Sequence, residues 1–321
     1  MTAAWAIVAD TWRHSKQQVV FVILIALLLI VAALAIGLPR LHEHEERQLA
    51  RFGWVFQQEP LRSLEEGWLG LYAIALRQSA DQRPIDPEVI SEEDLAAAAK
   101  EAHEIPLVRR GVEMWVFIAV TAVYIISMLL FLAASSEYFP SLLASGTAEV
   151  IVARPLSRHW IFTAKYLGGL VLFAIVLTSV YTLIFAGIGF RTGEWVWRVF
   201  CVLPLQMFSA AVLFALIALF GVTFRSTPLS LIVGYFFYLV IDTAVGFISN
   251  LRAAGIFDEF PKLDAALKFT EYCPNFGALR EIATQSCMSL PQVDRLPIAI
   301  TGTWGVIAFT LGYLRFRRLD L

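Results

Sequence analysis

Charge is scarce in this sequence. Asp, Glu, Lys and Arg make up 16% of its 321 residues, against about 25% in a soluble domain, too few to clothe a water-facing globule. Positive charge is not in excess either: the formal net charge is −2, which leaves no basic surface to hold nucleic acid. Only three cysteines occur, which excludes a small module stapled by disulfides. Internal repeats and low-complexity tracts are missing, and with them collagen-like and coiled-coil rods. The chain has no Gly-x-x-x-x-Gly-Lys-Ser/Thr sequence, hence no phosphate-cradling loop of that kind. No Ser/His/Asp or Cys/His set stands out, and no carboxylate pair is placed for acid–base work.

What is present is apolar: 58% of residues are hydrophobic and 13% aromatic, which also excludes a disordered chain. A membrane span needs about 20 such residues in a row. Six segments qualify: Gln18–Leu38, Val112–Ser135, Lys165–Ile188, Val199–Val222, Pro228–Ile248 and Leu296–Leu314. They lack the alternation of barrel strands, so helices are expected, because lipid satisfies no backbone polar group. The expected fold is all-α, a polytopic membrane protein with six transmembrane helices. The first apolar run resembles a secretory signal but is longer than the usual h-region of about 7–15 residues, and is read as an uncleaved span.

Orientation follows the distribution of Lys and Arg. With the N-terminus inside, the inner segments hold nine basic and four acidic residues, a net of +5, and the outer ones sum to −5. Both termini are therefore expected on the cytoplasmic side. The outer segment 39–111 reads as a small helical insert. Leu61, Leu64, Trp68, Leu71 and Ile74 recur at helical spacing, and Ser91 is placed to cap a second helix. His42-Glu43-His44-Glu45-Glu46 invites a metal reading, but alternate residues do not share a helical face. It is read as the wet continuation of span one, and no metal site is assigned. The second outer segment, 249–295, holds an expected amphipathic helix around Phe276–Ile282, with Cys273 and Cys287, which an oxidising compartment can bridge; two buried thiols are the alternative. Residues 1–17 place Trp5, Val8 and Trp12 on one helical face, as in a helix lying in the membrane interface.

The most specific stretch joins spans two and three, residues 136–164. It is too apolar for a solvated loop and too interrupted for a span. Pro140 suits a first helical turn, Gly146 permits a reversal, and Pro155 turns the chain before span three. One or two short amphipathic helices pressed on the inner membrane face are expected, burying Leu142, Leu143, Val150 and Ile151. Gly146-Thr147, Glu149, Arg154-Pro155-Leu156-Ser157-Arg158 and Lys165-Tyr166-Leu167-Gly168 resemble the permease subunits of ABC-2 type ATP-binding-cassette transporters, most closely the branch associated with multi-copper enzyme maturation. Pro140 to Ser145 stands where many relatives have an acidic cluster.

The resemblance implies that this segment is a cytoplasmic coupling helix docking on a separate nucleotide-binding ATPase. Gly146, Thr147, Glu149, Arg154, Pro155, Ser157 and Arg158 would form the contact. It further implies ATP and Mg on that partner, none on this chain, which is then no enzyme by itself. A second permease subunit, a bacterial inner-membrane location and export or extraction of a substrate complete the picture, with the 39–111 insert open to an extracytoplasmic partner. From the residues alone, a topogenic basic loop explains the same segment.

Asp242 is the acid deepest in a span, where charge is costly and faces a cavity or a partner. Tyr235, Tyr238 and Asp242 share a helical face of span five, expected to line a permease–permease seam or a substrate path; the plain alternative is that Asp242 snorkels to the outer interface. Among other classes, a membrane-embedded scaffold needs no ATPase. A secondary carrier would show several midplane charges and repeated halves, which this chain does not.

Overall fold

The computed structural model describes residues 19–37, 40–44, 47–51, 107–143, 157–253, 267–287 and 295–319. The expected interfacial helix at 1–17, the insert helices within 52–106 and residues 144–156 of the coupling segment lie outside the described residues.

Apart from one two-stranded hairpin the described chain is helical. Helix α1 is Val19–Gly37, followed by strands β1 (Arg40–His44) and β2 (Arg47–Arg51). Then come α2 (Leu107–Ser135), the short α3 (Tyr138–Leu142), α4 (Arg158–Thr192), and α5 (Val202–Phe224) entered by a tight turn at Trp197–Cys201. The next rod joins α6 (Thr227–Tyr235), a π-helical segment (Phe236–Ile241) and α7 (Asp242–Ala253). Helix α8 (Phe276–Gln285) and helix α9 (Leu296–Arg317) complete the order. Five of these, α2, α4, α5, the α6–α7 rod and α9, are long and apolar enough to cross a membrane. Helix α1 is apolar as well but is the shortest of the six, at 19 residues.

Helix α5 is the hub. It packs against α2, α3, α4, α6, α8 and α9. It meets α9 along a stripe of small side chains, Thr301, Gly305, Ala308 and Gly312, all buried. A Cβ on Gly305 would lie 2.8 Å from Val212, and one on Gly312 would lie 3.3 Å from the Leu219 backbone, so the two backbones approach as closely as small residues permit. The glycines that allow the approach belong to α9.

Several element ends differ from those expected. Helix α4 begins at Arg158 and runs for 35 residues to Thr192, so the coupling segment ends seven residues earlier than its expected limit at 164. Ser157 is extended and its hydroxyl accepts from the Trp160 N–H, an N-cap that stops the helix from starting later. At the other end Gly193 takes φ 78°, the left-handed cap that suits glycine. His42 to His44 does not continue the first helix, which ends at Gly37: it lies in the hairpin, with His42 opposite Leu49 and His44 opposite Arg47. Gly followed closely by Pro is a stop signal, so the insert opens with strands where helix was expected. Glu113, an acid at the edge of the second expected span, is buried at 3% exposure.

Successive long helices run in opposite directions, giving the bundle two ends, while the packed pair α5 and α9 runs parallel, Val212 lying beside Gly305 and Leu219 beside Gly312. At one lie the C-terminus of α1, the start of α2, the α4–α5 turn and α8. There the Trp115 indole N–H and Arg191 donate to the last carbonyls of α1, Ala35 (2.7 Å) and Ile36 (2.9 Å). At the other lie α3, the first turn of α4, the tight α5–α6 turn and the end of α9.

Candidate functional site

The flanks of the coupling segment are seated in the bundle. Upstream, Ser136 and Glu137 form a turn between α2 and α3, and α3 continues from it with Tyr138, Phe139, Pro140 and Leu142 buried. Phe139 packs on Phe162 of α4 (5.0 Å between centroids) and on Phe214 of α5 (5.9 Å). The Tyr138 ring carries the Lys165 ammonium 5.6 Å from its centroid, a cation–π contact. Gly221 of α5 leaves the room that Phe139 and Pro140 fill. As expected, Leu142 is buried, and Leu143 is partly so. Val150 and Ile151 lie outside the described residues.

Downstream, the two residues of the motif that are described, Ser157 and Arg158, both bond to backbone groups of the chain itself. Ser157 caps α4. Arg158 Nη1 donates to the backbone carbonyls of Arg317 (2.8 Å) and Leu319 (2.6 Å) at the end of α9. Next to it His159 stands edge-on to Tyr313 (5.1 Å), and Phe162 packs on Phe309, Tyr313 and Phe316. Gly146, Thr147, Glu149, Arg154 and Pro155 lie outside the described residues.

At the opposite end the fifth-span face is also brought to contacts within the chain. Tyr235 donates to the Leu129 carbonyl of α2 (3.0 Å). Tyr238 is buried against Phe276 of α8 (6.3 Å). The Asp242 carboxylate accepts the Gly277 N–H at 2.5 Å, and the Phe276 N–H also points to it. Asn275 caps the same helix through Ala278 (2.8 Å). An acid at a helix N-terminus is favoured by the unpaired N–H groups and by the helix dipole, and Arg280 of α8 lies within its electrostatic reach. Asp242 thus has a partner at the loop-rich end of its rod. The π-helical turn just before it shifts the register of the face, a change that residue spacing does not reveal.

Helix α8 is the amphipathic helix expected around Phe276–Ile282, but it is wedged between spans. Its Phe276, Leu279, Ala283 and Thr284 are buried, and it packs on α2, α5, α7 and α9. Three contacts hold the preceding segment down. Thr301 accepts the Asn275 N–H (3.2 Å), Trp304 donates to the Tyr272 carbonyl (2.8 Å), and Arg252 pairs with Glu271 (2.6 Å).

Beneath α8 runs a buried polar chain that sequence reasoning missed. Tyr181 donates to Gln206 Oε1 (2.6 Å) and Gln206 Nε2 donates to Ser127 (2.7 Å). Ser127 donates to the Tyr124 carbonyl (3.1 Å), and the Tyr124 hydroxyl donates to Ser209 (2.8 Å). All five residues are fully buried. Gln206, a lone amide in an apolar helix, is the signal that marks it, since such a group at membrane depth needs partners.

The bridge between Cys273 and Cys287 is corrected: all three cysteines are free thiols. The ten residues of α8 lie between the pair and carry the chain about 15 Å, beyond the Cα separation of about 7 Å that a disulfide spans. Burial pushes the Cys287 thiol up to about 12 and raises that of the half-buried Cys273 as well.

Among the described residues, then, the sequence-marked groups fall into two places, a seated flank at one end and a helix-capping acid at the other. No family model and no curated protein matches the chain.

Proposed function

We propose that the chain is the permease subunit of an ABC-2 type transporter, coupling ATP hydrolysis on a separate ATPase subunit to export or extraction of a substrate. The observation that carries the reading is the seating of α3. The segment 144–156 follows in sequence a helix whose Tyr138, Phe139 and Pro140 are locked into α4 and the hub α5. A force applied to that segment by a neighbouring ATPase is delivered to the core of the bundle, as a coupling element requires.

In this reading α1 is the sixth span: 19 apolar residues reach about 28 Å, close to the hydrocarbon thickness of about 30 Å. The end with α3 and the exposed Arg225, Arg315, Arg317 and Arg318 is cytoplasmic by the positive-inside rule, in a bacterial inner membrane, with both termini inside. The hairpin and α8 face outward. One six-span chain supplies half of a translocation path, so a second permease subunit completes it, and ATP with Mg sits on the ATPase.

Affinity purification of the full chain from its native membrane tests the proposal. An ATPase carrying a phosphate-binding loop is expected to co-purify, and simultaneous replacement of Arg154 and Pro155 by Ala is expected to release it. Purification with no ATPase at any step, from membranes where the chain is folded, would favour the scaffold reading instead.

A further inference from the structure

The Arg158 side chain belongs to the motif that the resemblance assigns to ATPase contact, yet its guanidinium is engaged elsewhere. It holds two carbonyls, of Arg317 and Leu319, from the far end of the sequence. Carbonyls of a helix's last turn have no partners in the helix, and a cation there is favoured by the dipole. The clamp sits on a packed support. Phe162, one turn along α4, touches Phe309, Tyr313 and Phe316, the last buried, and Tyr166 a turn further stacks on Phe214 of α5 and meets Phe309. Arg158 is the residue next to the Ser157 cap, where the coupling segment becomes helix.

We infer that Arg158 is a positioning residue that makes the C-terminal end of α9 move with the outgoing end of the coupling segment. This deepens the permease proposal and rests on it. The stroke then enters the bundle along two routes. Through α3 it reaches α5; through Arg158 it reaches α9, which lies along α5 on its small-residue stripe. Each route alone would shear α5 against α9. Together they carry both helices as one body, so the close backbone crossing at Gly305 and Gly312 is preserved during movement.

The test uses the full chain in lipid nanodiscs with its co-purified ATPase. Cys201, Cys273 and Cys287 are replaced by Ser, and spin labels are placed at the exposed Thr223 and Arg318 positions, at the ends of α5 and α9. Distances are measured by pulsed electron resonance without nucleotide and after trapping with ATP and vanadate. The clamped background keeps a narrow distance distribution in both states. Arg158→Ala removes two charge-assisted bonds, enough to lower the clamped population by about a hundredfold. It is expected to broaden the distribution on trapping while leaving ATPase co-purification unchanged. Arg158→Lys, whose single ammonium can donate to both carbonyls, is expected to restore the narrow form, which also shows that the site folds. A distribution in Arg158→Ala as narrow as in the parent overturns the inference alone. Loss of the ATPase on Arg158→Ala overturns it too, since Arg158 is then the contact itself. An unsubstituted chain that recruits no ATPase removes the permease reading, and the inference with it.

Discussion

At the scale of single residues, burial decides what the thiols and the lone amide can do. Cys287 has no exposed surface, so a maleimide is expected to label Cys201 and Cys273 in the folded chain and to reach Cys287 only after denaturation; mass spectrometry of labelled peptides reads this directly. The same burial has a pH consequence. The Cys287 thiol ionises at about 12 in the folded chain against an ordinary 9.0, so the native state holds its proton where the unfolded chain has lost it. Its contribution to stability is complete below pH 9 and is lost as pH rises toward 12. Cys287→Ala is expected to flatten that part of the unfolding profile, measured in detergent by intrinsic fluorescence. Gln206→Leu strands the Tyr181 hydroxyl and takes a donor from Ser127, and is expected to cost about 1–3 kcal/mol. Adding Tyr181→Phe is expected to recover part of that loss, because one stranded hydroxyl is then gone; a double-mutant cycle measures it. Residues of this kind were partly legible. Asp242 and Gln206 are both conspicuous as polar groups in apolar runs, but a partner thirty-five residues away in sequence leaves no trace in local spacing.

At the scale of elements, five of the six expected spans were legible as helices long and apolar enough to cross a membrane, because a length of about 20 apolar residues is a requirement of the bilayer rather than a preference. Their ends were not, since they depend on single caps. Ser157 and Gly193 moved the limits of α4, and the first helix ends at Gly37, ahead of a hairpin where helix was expected. The coupling segment was recognisable as interrupted and apolar, but the depth of α3 comes from Gly221 on another helix, which nothing in 136–164 announces. Helix α8 was foreseen by its periodicity; its wedge position follows from Asp242. Asp242→Leu leaves the Gly277 and Phe276 N–H groups without their acceptor and is expected to lower stability by about 1–3 kcal/mol. Asp242→Asn keeps an acceptor and loses only the charge effect, about 0.3–1 kcal/mol. Thermal unfolding of the two variants side by side checks the difference. Gly305→Val forces a branched side chain into a space where Val212 already lies 2.8 Å from a Cβ. It is expected to cost about 1–3 kcal/mol or more by overpacking and to weaken the α5–α9 pair first, visible as faster proteolysis of the C-terminal helix.

At the scale of the whole molecule, the chain is a bundle built on one central helix, with its polar interior toward the α8 end and its aromatic packing toward the α3 end. That asymmetry suits a device worked from one face and opening at the other, and the co-purification of an ATPase is the measurement on which this view depends. Helix α4 joins the two faces without a break. Its 35 residues make a rod of about 52 Å in a hydrocarbon layer of about 30 Å, so it protrudes like a mast through a deck. Its foot is tied at Arg158 and its head at Arg191, which donates to the α1 carbonyl of Ile36. Rocking such a mast by about 10° swings its two tips in opposite senses, by about 9 Å relative to one another over that length. News of an event at one surface of the bilayer would then reach the other by see-saw, with no hydrogen bond inside the rod needing to break.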